Sequence, residues 1–292
     1  MVDVVGKPMA WHVLDRLRHT PGIDVVVLAT STLPVDAPLL EMAQQSGFVA
    51  FAGDPEDVLD RLYHAAALVQ ADVVIEVGGD LPFVDPELVA QGLQLFQAEN
   101  ADYVSNVMPT TFPEGMDVLI ISFQALGRIF QNARLSSERL HPLAYVNTHQ
   151  DEFRIRNFKQ DQNMFLLRWT LDYPEDLAFV RAVYERLYQP DKTFHMRDIL
   201  ALLEAEPKLS GLNAGRAASD ADSVQEVSGY WHAKAYIADM RRDLADLVKQ
   251  GTEADAAGNY VVAARCYEDV VRVAQELARR ASYLGRVQGD TL

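Results

Sequence analysis

The chain has a single cysteine, Cys266, in 292 residues. One thiol excludes an intrachain disulfide and any metal site built from several cysteines. It fits a reducing compartment, so the cytoplasm is the expected location. Cations are scarce: 26 Lys and Arg stand against 42 Asp and Glu, a formal net charge of -16. Such a surplus repels polyanions, so nucleic acid and anionic membrane surfaces are poor general partners. A phosphate ligand in a locally basic site is still allowed. Long apolar runs are missing too: none approaches the about 18 residues a membrane span needs. The N-terminus shows no basic segment followed by an apolar stretch, so no signal peptide is expected. Apolar residues make up 49% of the chain. At this length that is enough to bury a full core in one large domain or two.

Strand-like and helix-like patterns alternate over the first two-thirds. Residues 23–29, 49–52, 73–77, 103–107 and 116–123 are short apolar runs of strand type, and 153–158 alternates like a half-buried strand. Helical patterns cover 39–45, 54–70, 85–100, 124–134, 138–148, 174–188 and 196–203. Asp54-Pro55 and Asp85-Pro86 each predict an N-cap followed by proline at the first helical position. The alternation predicts an α/β fold with a mostly parallel, mixed sheet and flanking helices over residues 1–209. Residues 210–228, rich in Gly, Ser, Ala and Asp, predict a linker. Residues 229–292 predict a helical appendage with patterns over 230–249 and 253–284, a helix end at Gln250-Gly251 and an optional turn at Ala257-Gly258-Asn259. The spacing of Tyr260, Ala264 and Tyr267 is like half a tetratricopeptide repeat. One such unit needs the main domain, a second chain or another protein to cover its face.

Two acidic motifs carry the chemistry. Ile75-Glu76-Val77-Gly78-Gly79-Asp80-Leu81-Pro82 and Trp169-Thr170-Leu171-Asp172-Tyr173-Pro174 each place an Asp near the end of an apolar run, with a Pro soon after. Carboxylates at strand ends of such a sheet can face one crevice. Their hard oxygens suit Mg²⁺ bridging to phosphates, which points to a nucleotide-handling enzyme. Each residue alone has a plainer reading. Asp80 is a turn residue, Asp172 a helix cap, Asp85 and Asp54 N-caps, and Lys7 part of a solvated turn. Arg168 is a structural ion-pair partner, Thr30 and Ser31 form a turn, His141 is a surface or capping residue, and Cys266 is a buried inert thiol.

Seven stretches lie in order over about residues 1–210: Gly6-Lys7-Pro8-Met9, Leu28-Ala29-Thr30-Ser31, Gly53-Asp54-Pro55-Glu56-Asp57, Gly79-Asp80-Leu81-Pro82-Phe83, Asp102-Tyr103-Val104-Ser105-Asn106, Pro113-Glu114-Gly115-Met116-Asp117 and Leu167-Arg168-Trp169-Thr170-Leu171-Asp172. Together they resemble the sugar-acid cytidylyltransferases, especially the branch similar to the spore-coat polysaccharide biosynthesis protein F. Acylneuraminate and 3-deoxy-manno-octulosonate cytidylyltransferases are more distant relatives. The resemblance implies a nucleotidyltransferase fold of the glycosyltransferase-A type and Mg²⁺-dependent transfer of CMP from CTP to a sugar acid in surface polysaccharide synthesis. By the same resemblance Asp80 and Asp172 hold the metal and Lys7 serves catalysis. Ala29, Thr30, Ser31 and Gly79 lie beside the nucleotide, and Glu114, Asp117 and His141 face the sugar. It also makes a homodimer, or a protein partner at the C-terminal helices, an expectation.

The departures define the alternatives. Family members open with a strand and a basic Ser-Thr-Arg-Leu-Pro-Gly-Lys-like loop that grips the triphosphate, whereas this chain opens where that loop ends. A central strand missing from the sheet leaves its neighbours' edges unpaired. Leu119 and Leu140 stand where relatives often carry carboxylates. The other reading is therefore a non-catalytic binding or assembly protein on a relic nucleotidyltransferase domain. A weaker one is a glycosyltransferase using Asp220-Ala221-Asp222, which lies in the predicted linker.

Overall fold

In the computed structural model the described residues are 1–214 and 230–289. A tight hairpin of β1 (Asp3–Val4) and β2 (Lys7–Pro8) leads into α1 (Met9–Arg18). Next, β3 (Val27–Ser31) pairs in parallel with β4 (Val49–Gly53), with α2 (Ala37–Gln45) as the crossover. The chain continues through α3 (Val58–Leu68), β5 (Val73–Glu76), α4 (Pro86–Ala98), β6 (Tyr103–Ser105) and β7 (Leu119–Ser122). Three helices follow, α5 (Phe123–Asn132), α6 (Ser136–Leu140) and α7 (Tyr145–Thr148), and then β8 (Ile155–Asn157). Strands β5, β7, β6 and β8 form a four-stranded sheet in that order; β7 is antiparallel to both neighbours and β6 parallel to β8. Helices α8 (Pro174–Leu187) and α9 (Met196–Ala205) close the first part, and α10 (Tyr230–Ala256) with α11 (Tyr260–Gly289) makes a C-terminal hairpin. This is the mixed α/β sheet with flanking helices, plus helical appendage, that the pattern predicts.

Two apolar clusters cover the four-stranded sheet. One joins Phe83, Val104, Ile120 and Trp169 to Val89 of α4, Phe179 and Tyr184 of α8 and Ile199 of α9. The other sets Leu59 of α3 and Leu126 and Ile129 of α5 against Val74, Tyr103 and Ile121. Each fully buried large side chain contributes roughly 1.5–3 kcal/mol through lost apolar exposure.

The sheet is broken in the middle. Among the described residues β3 pairs only with β4 and β5 only with β7, so the two sheets do not meet. Their facing edges and α1 line a cavity of about 1450 Å³, with Val13, Leu28, Val73 and Ile75 among its walls. On these edges neither β3 nor β5 has a strand neighbour among the described residues. The unpaired edges account for the short β3: with a partner on one side only, pairing begins at Val27, and residues 23–26 stay outside any strand.

Local boundaries differ from expectation where a second signal competes. The cap of α3 is Asp57, which accepts from the Asp60 N–H at 2.9 Å, rather than Asp54. Asp54 instead accepts from the N–H groups of Glu56 and Asp57, so 54–57 is a turn. Asp85 does cap α4, accepting from the Glu87 N–H at 2.9 Å. The predicted helix over 138–148 is interrupted at Pro142, which cannot continue a hydrogen-bonded turn. Gln250-Gly251 lies inside α10, where Gly251 packs against the Tyr267 ring, and the turn falls at residues 257–259. Most of the predicted linker, including Asp220-Ala221-Asp222, lies outside the described residues. Its first part is packed, since Asn213 is buried against the Arg168 segment. The C-terminal hairpin packs on the main domain, α10 against α6 and α11 against α7, while Tyr260, Val261 and Val271 stay exposed.

Candidate active site

Beyond β5 the chain turns through Val77-Gly78-Gly79-Asp80 along the cavity wall. The Leu171 N–H donates to the Asp80 carbonyl at 2.9 Å, fastening the Leu171-Asp172 segment beside that turn. The Asp80 carboxylate folds back over Gly78: a Cβ there would lie 2.3 Å from Asp80 Oδ1, so only glycine leaves the carboxylate its place. A Cβ on Gly79 would meet nothing within 4 Å, so that backbone lies open. Two hard oxygen donors on adjacent segments are a set that suits Mg²⁺ completed by phosphate and water. They are too few for an all-protein Ca²⁺ cage.

Arg168 organises the second segment. Its side chain is buried, and it donates to Asp172 Oδ2 at 2.6 Å, to both Asp176 oxygens at 3.1 Å, and to Glu114 at 3.2 and 3.3 Å. Burial alone would lower the guanidinium pKa, but the Asp176 hydrogen bond and the charges of Glu114, Asp176 and Asp172 outweigh it and raise it. Asp176 is fully buried and also accepts from the N–H groups of Asp172 and Tyr173 and from Asn213 Nδ2. The Glu114 loop is laced to the same segment: its N–H meets the Leu167 carbonyl at 2.9 Å, and its carbonyl takes the Trp169 N–H at 2.8 Å. Gly115, at φ +97°, makes this approach possible, because a Cβ would lie 2.9 Å from the Trp169 carbonyl.

Asp117 and His141 also line the cavity. Asn106, buried after β6, pins both neighbours of Asp117: its Nδ2 donates to the Met116 carbonyl and its Oδ1 accepts from the Val118 N–H, each at 2.8 Å. His141 closes α6, its N–H on the Ser137 carbonyl at 3.0 Å, and its ring Nε2 lies 3.2 Å from Asp239 Oδ2 of α10. Arg139 ties α6 to the cap of α3, with Nε 2.7 Å from Asp57 Oδ2. Burial pushes the Glu138 carboxyl up, against hydrogen bonds from the Arg134 and Leu135 N–H groups.

Of the residues singled out in the sequence, Ala29, Gly79, Asp80, Asp117 and His141 line this cavity, and Asp172 is fastened beside Asp80. Thr30 follows Ala29 at the end of β3. Ser31 is buried and serves the fold, donating to the Asp36 carboxylate, which that bond holds below the usual range, and accepting from the Leu33 N–H. Lys7 is exposed in the hairpin with its Nζ 5.0 Å from the Trp11 ring centroid. Glu114 points at Arg168. Among the described residues the tight cluster of metal-type ligands is Asp85, Glu87 and His195. Asp85 there joins two helix starts, accepting also from the Met196 N–H at 2.6 Å and bonding His195 Nδ1 at 2.9 Å. Sequence reasoning gave no role to Asn106 or Asp239. A polar residue closing an apolar run was the one visible hint for Asn106; nothing local marked Asp239.

Comparison with known proteins bears on the whole arrangement. The cytidylyltransferase family matches residues 1–200. An uncharacterized protein of Methanocaldococcus jannaschii is 24% identical over 217 residues, covering 73% of this chain and 86% of that protein. The spore coat polysaccharide biosynthesis protein SpsF of Bacillus subtilis is 28% identical over 188 residues, covering 63% of this chain and 76% of SpsF. Among solved structures, a cytidylyltransferase from Leptospira borgpetersenii shares the fold with a TM-score of 0.67 at 23% identity, covering 71% of this chain and 87% of that one.

Proposed function

The chain belongs to the cytidylyltransferase family and is a nucleotidyltransferase; from that premise we propose that it transfers CMP from CTP to a sugar acid, with Mg²⁺, in the making of a surface polysaccharide. The observation that carries the reading is the Leu171 to Asp80 main-chain bond, which fastens the Leu171-Asp172 segment to Asp80, a residue of the cavity wall. In this reading the acceptor hydroxyl oxygen bonds to the α-phosphorus of CTP and the bond to the β-phosphate oxygen breaks. Pyrophosphate leaves and the hydroxyl proton is released. Mg²⁺, held by Asp80 and Asp172, would supply charge stabilisation at the phosphates.

The chain's own residues do the positioning. Arg168 fixes one oxygen of Asp172 and leaves the other for the metal; Glu114 acts through Arg168 rather than on the sugar. Ala29, Thr30 and the open backbone at Gly79 border the nucleotide, and Asp117 and His141 border the acceptor. Polysaccharide synthesis is supported by the likeness to SpsF. Asp80→Ala tests the assignment: pyrophosphate release from CTP should fall by at least about 100-fold with the thermal unfolding midpoint unchanged. Turnover near that of the parent chain would remove Asp80 from the site.

A non-catalytic binding role is favoured by one feature, the pair of sheet edges that meet no strand between β3 and β5. Calorimetry with CTP separates the readings. Binding that requires Mg²⁺ supports the enzyme, and a well-folded chain that does not bind CTP supports the relic domain.

A further inference from the structure

The C-terminal hairpin lies beyond the family match, which ends at residue 200, yet it sends two buried carboxylates into the main domain. Asp239 and Asp243 are 5% and 6% exposed, and burying a carboxylate is unfavourable unless it is well partnered. Both find their partners on α6. Asp243 accepts from the Ser136 and Ser137 N–H groups at 3.3 and 3.0 Å, at the start of that helix. Asp239 meets His141 Nε2 at its end, 3.2 Å away, and is also paired with Arg242. Between them Met240, Leu247 and Val273 pack with Leu135. Asp239 and Glu276 of the hairpin line the same cavity as Asp80, Asp117 and His141.

We propose that the hairpin is a working wall of the acceptor half of the site, and that Asp239 is the positioning residue that aims His141 at a carboxylate-bearing sugar. This rests on the acceptor reading above. A carboxylate bound to one ring nitrogen fixes the orientation of the imidazole and balances its charge when protonated. His141 is thus held by an element outside the family match.

The test uses the full chain with CTP and two probe acceptors, 3-deoxy-manno-octulosonate and N-acetylneuraminate. Asp239→Ala should raise the acceptor KM about tenfold, with kcat and the CTP KM within about twofold, and the unfolding midpoint should stay in place. Asp239→Asn, which keeps an oxygen for the ring N–H, should recover most of the loss. An unchanged acceptor KM overturns the proposal, as does a parallel loss in both substrates with a lowered midpoint, which a purely structural role would give. A second readout follows the His141 ring signals by NMR, assigned with His141→Gln, as each sugar acid is added. They should shift in the parent chain and not in Asp239→Ala. Should they shift while neither sugar releases pyrophosphate, the transfer reading fails and the positioning role stands. Signals that do not respond in the parent chain overturn the positioning role itself.

Discussion

Replacing Arg168 by Met gives the sharpest quantitative consequence. The Arg168 side chain is 2% exposed and faces Glu114, Asp172 and Asp176, whose side chains are 16%, 28% and 0% exposed. Met keeps most of the stem volume and removes the charge. Asp176 then stays buried with two main-chain N–H donors and Asn213 but no cation. Removing one partner of a buried pair costs about 3–5 kcal/mol. The three remaining donors place the expected value near the lower end, at about 3 kcal/mol, because they still satisfy the carboxylate oxygens. For a domain of this size about 3 kcal/mol corresponds to a fall of roughly 6–12 °C in the unfolding midpoint. Circular dichroism melting reads it directly. Asp176→Asn made in the Arg168→Met chain should recover part of the loss, since it removes the unpaired charge, and the double-mutant cycle gives the coupling. A midpoint shift under about 2 °C for Arg168→Met would refute the reasoning, because such a shift amounts to under about 1 kcal/mol and the carboxylates would then not depend on the guanidinium.

Asn106→Ala breaks two buried hydrogen bonds and leaves the Val118 N–H and Met116 carbonyl unsatisfied, which should cost about 2–4 kcal/mol in urea unfolding and raise the acceptor KM as Asp117 loses its anchors. His12 is 2% exposed with Nε2 2.8 Å from the Val4 carbonyl, and burial holds its pKa below the ordinary value despite that hydrogen bond. The depressed value means that the unfolded chain takes up the proton first. Stability is therefore intact above the unfolded pKa of about 6.5 and falls with decreasing pH below it, by up to about 1.4 kcal/mol per unit. His12→Gln should flatten the urea-unfolding midpoint between pH 7 and 5 relative to the parent chain, and an unchanged slope counts against the assignment. The apolar cavity between β3 and β5 should bind anilinonaphthalene sulfonate in the native chain; Val27→Glu, which puts a charge of the probe's own sign on its wall, should cut that fluorescence by at least about half.

Much of the fold was legible because its signals are local. Short apolar runs with β-branched residues located β4, β5, β6 and β7, and Asp85-Pro86 located the start of α4 to the residue. Misplaced boundaries occur where two local signals compete and a distant partner decides. The sequence reads Asp54 as the cap, whereas Asp57 fills that role, and Arg61, donating to the Asp54 and Pro55 carbonyls, holds Asp54 in a turn. The start of β3 depends on pairing that residues 23–26 do not find. His141 and Asp239 are 98 positions apart, and no periodicity in either segment can announce a contact of that span.

The hydrogen bonds around Asp172 bear on its plain reading as a helix cap. As a helix cap, Asp172 would spend its carboxylate on the first N–H groups of α8. Its Oδ2 instead accepts from Arg168 at 2.6 Å, while the Asp172 and Tyr173 N–H groups, just ahead of α8, donate to Asp176 Oδ2 at 3.1 and 3.0 Å. Asp176 is the third residue of α8 and fully buried, so it reaches back as a capping carboxylate while Arg168 neutralises it. The turn leading into α8 is thus closed by a neighbour four positions on. The Asp172 carboxylate is left 28% exposed, held through one oxygen by Arg168 and carried by a segment bonded to Asp80. Asp172 is therefore spent on Arg168 rather than on the start of α8, and the metal role proposed for it draws on its second carboxylate oxygen.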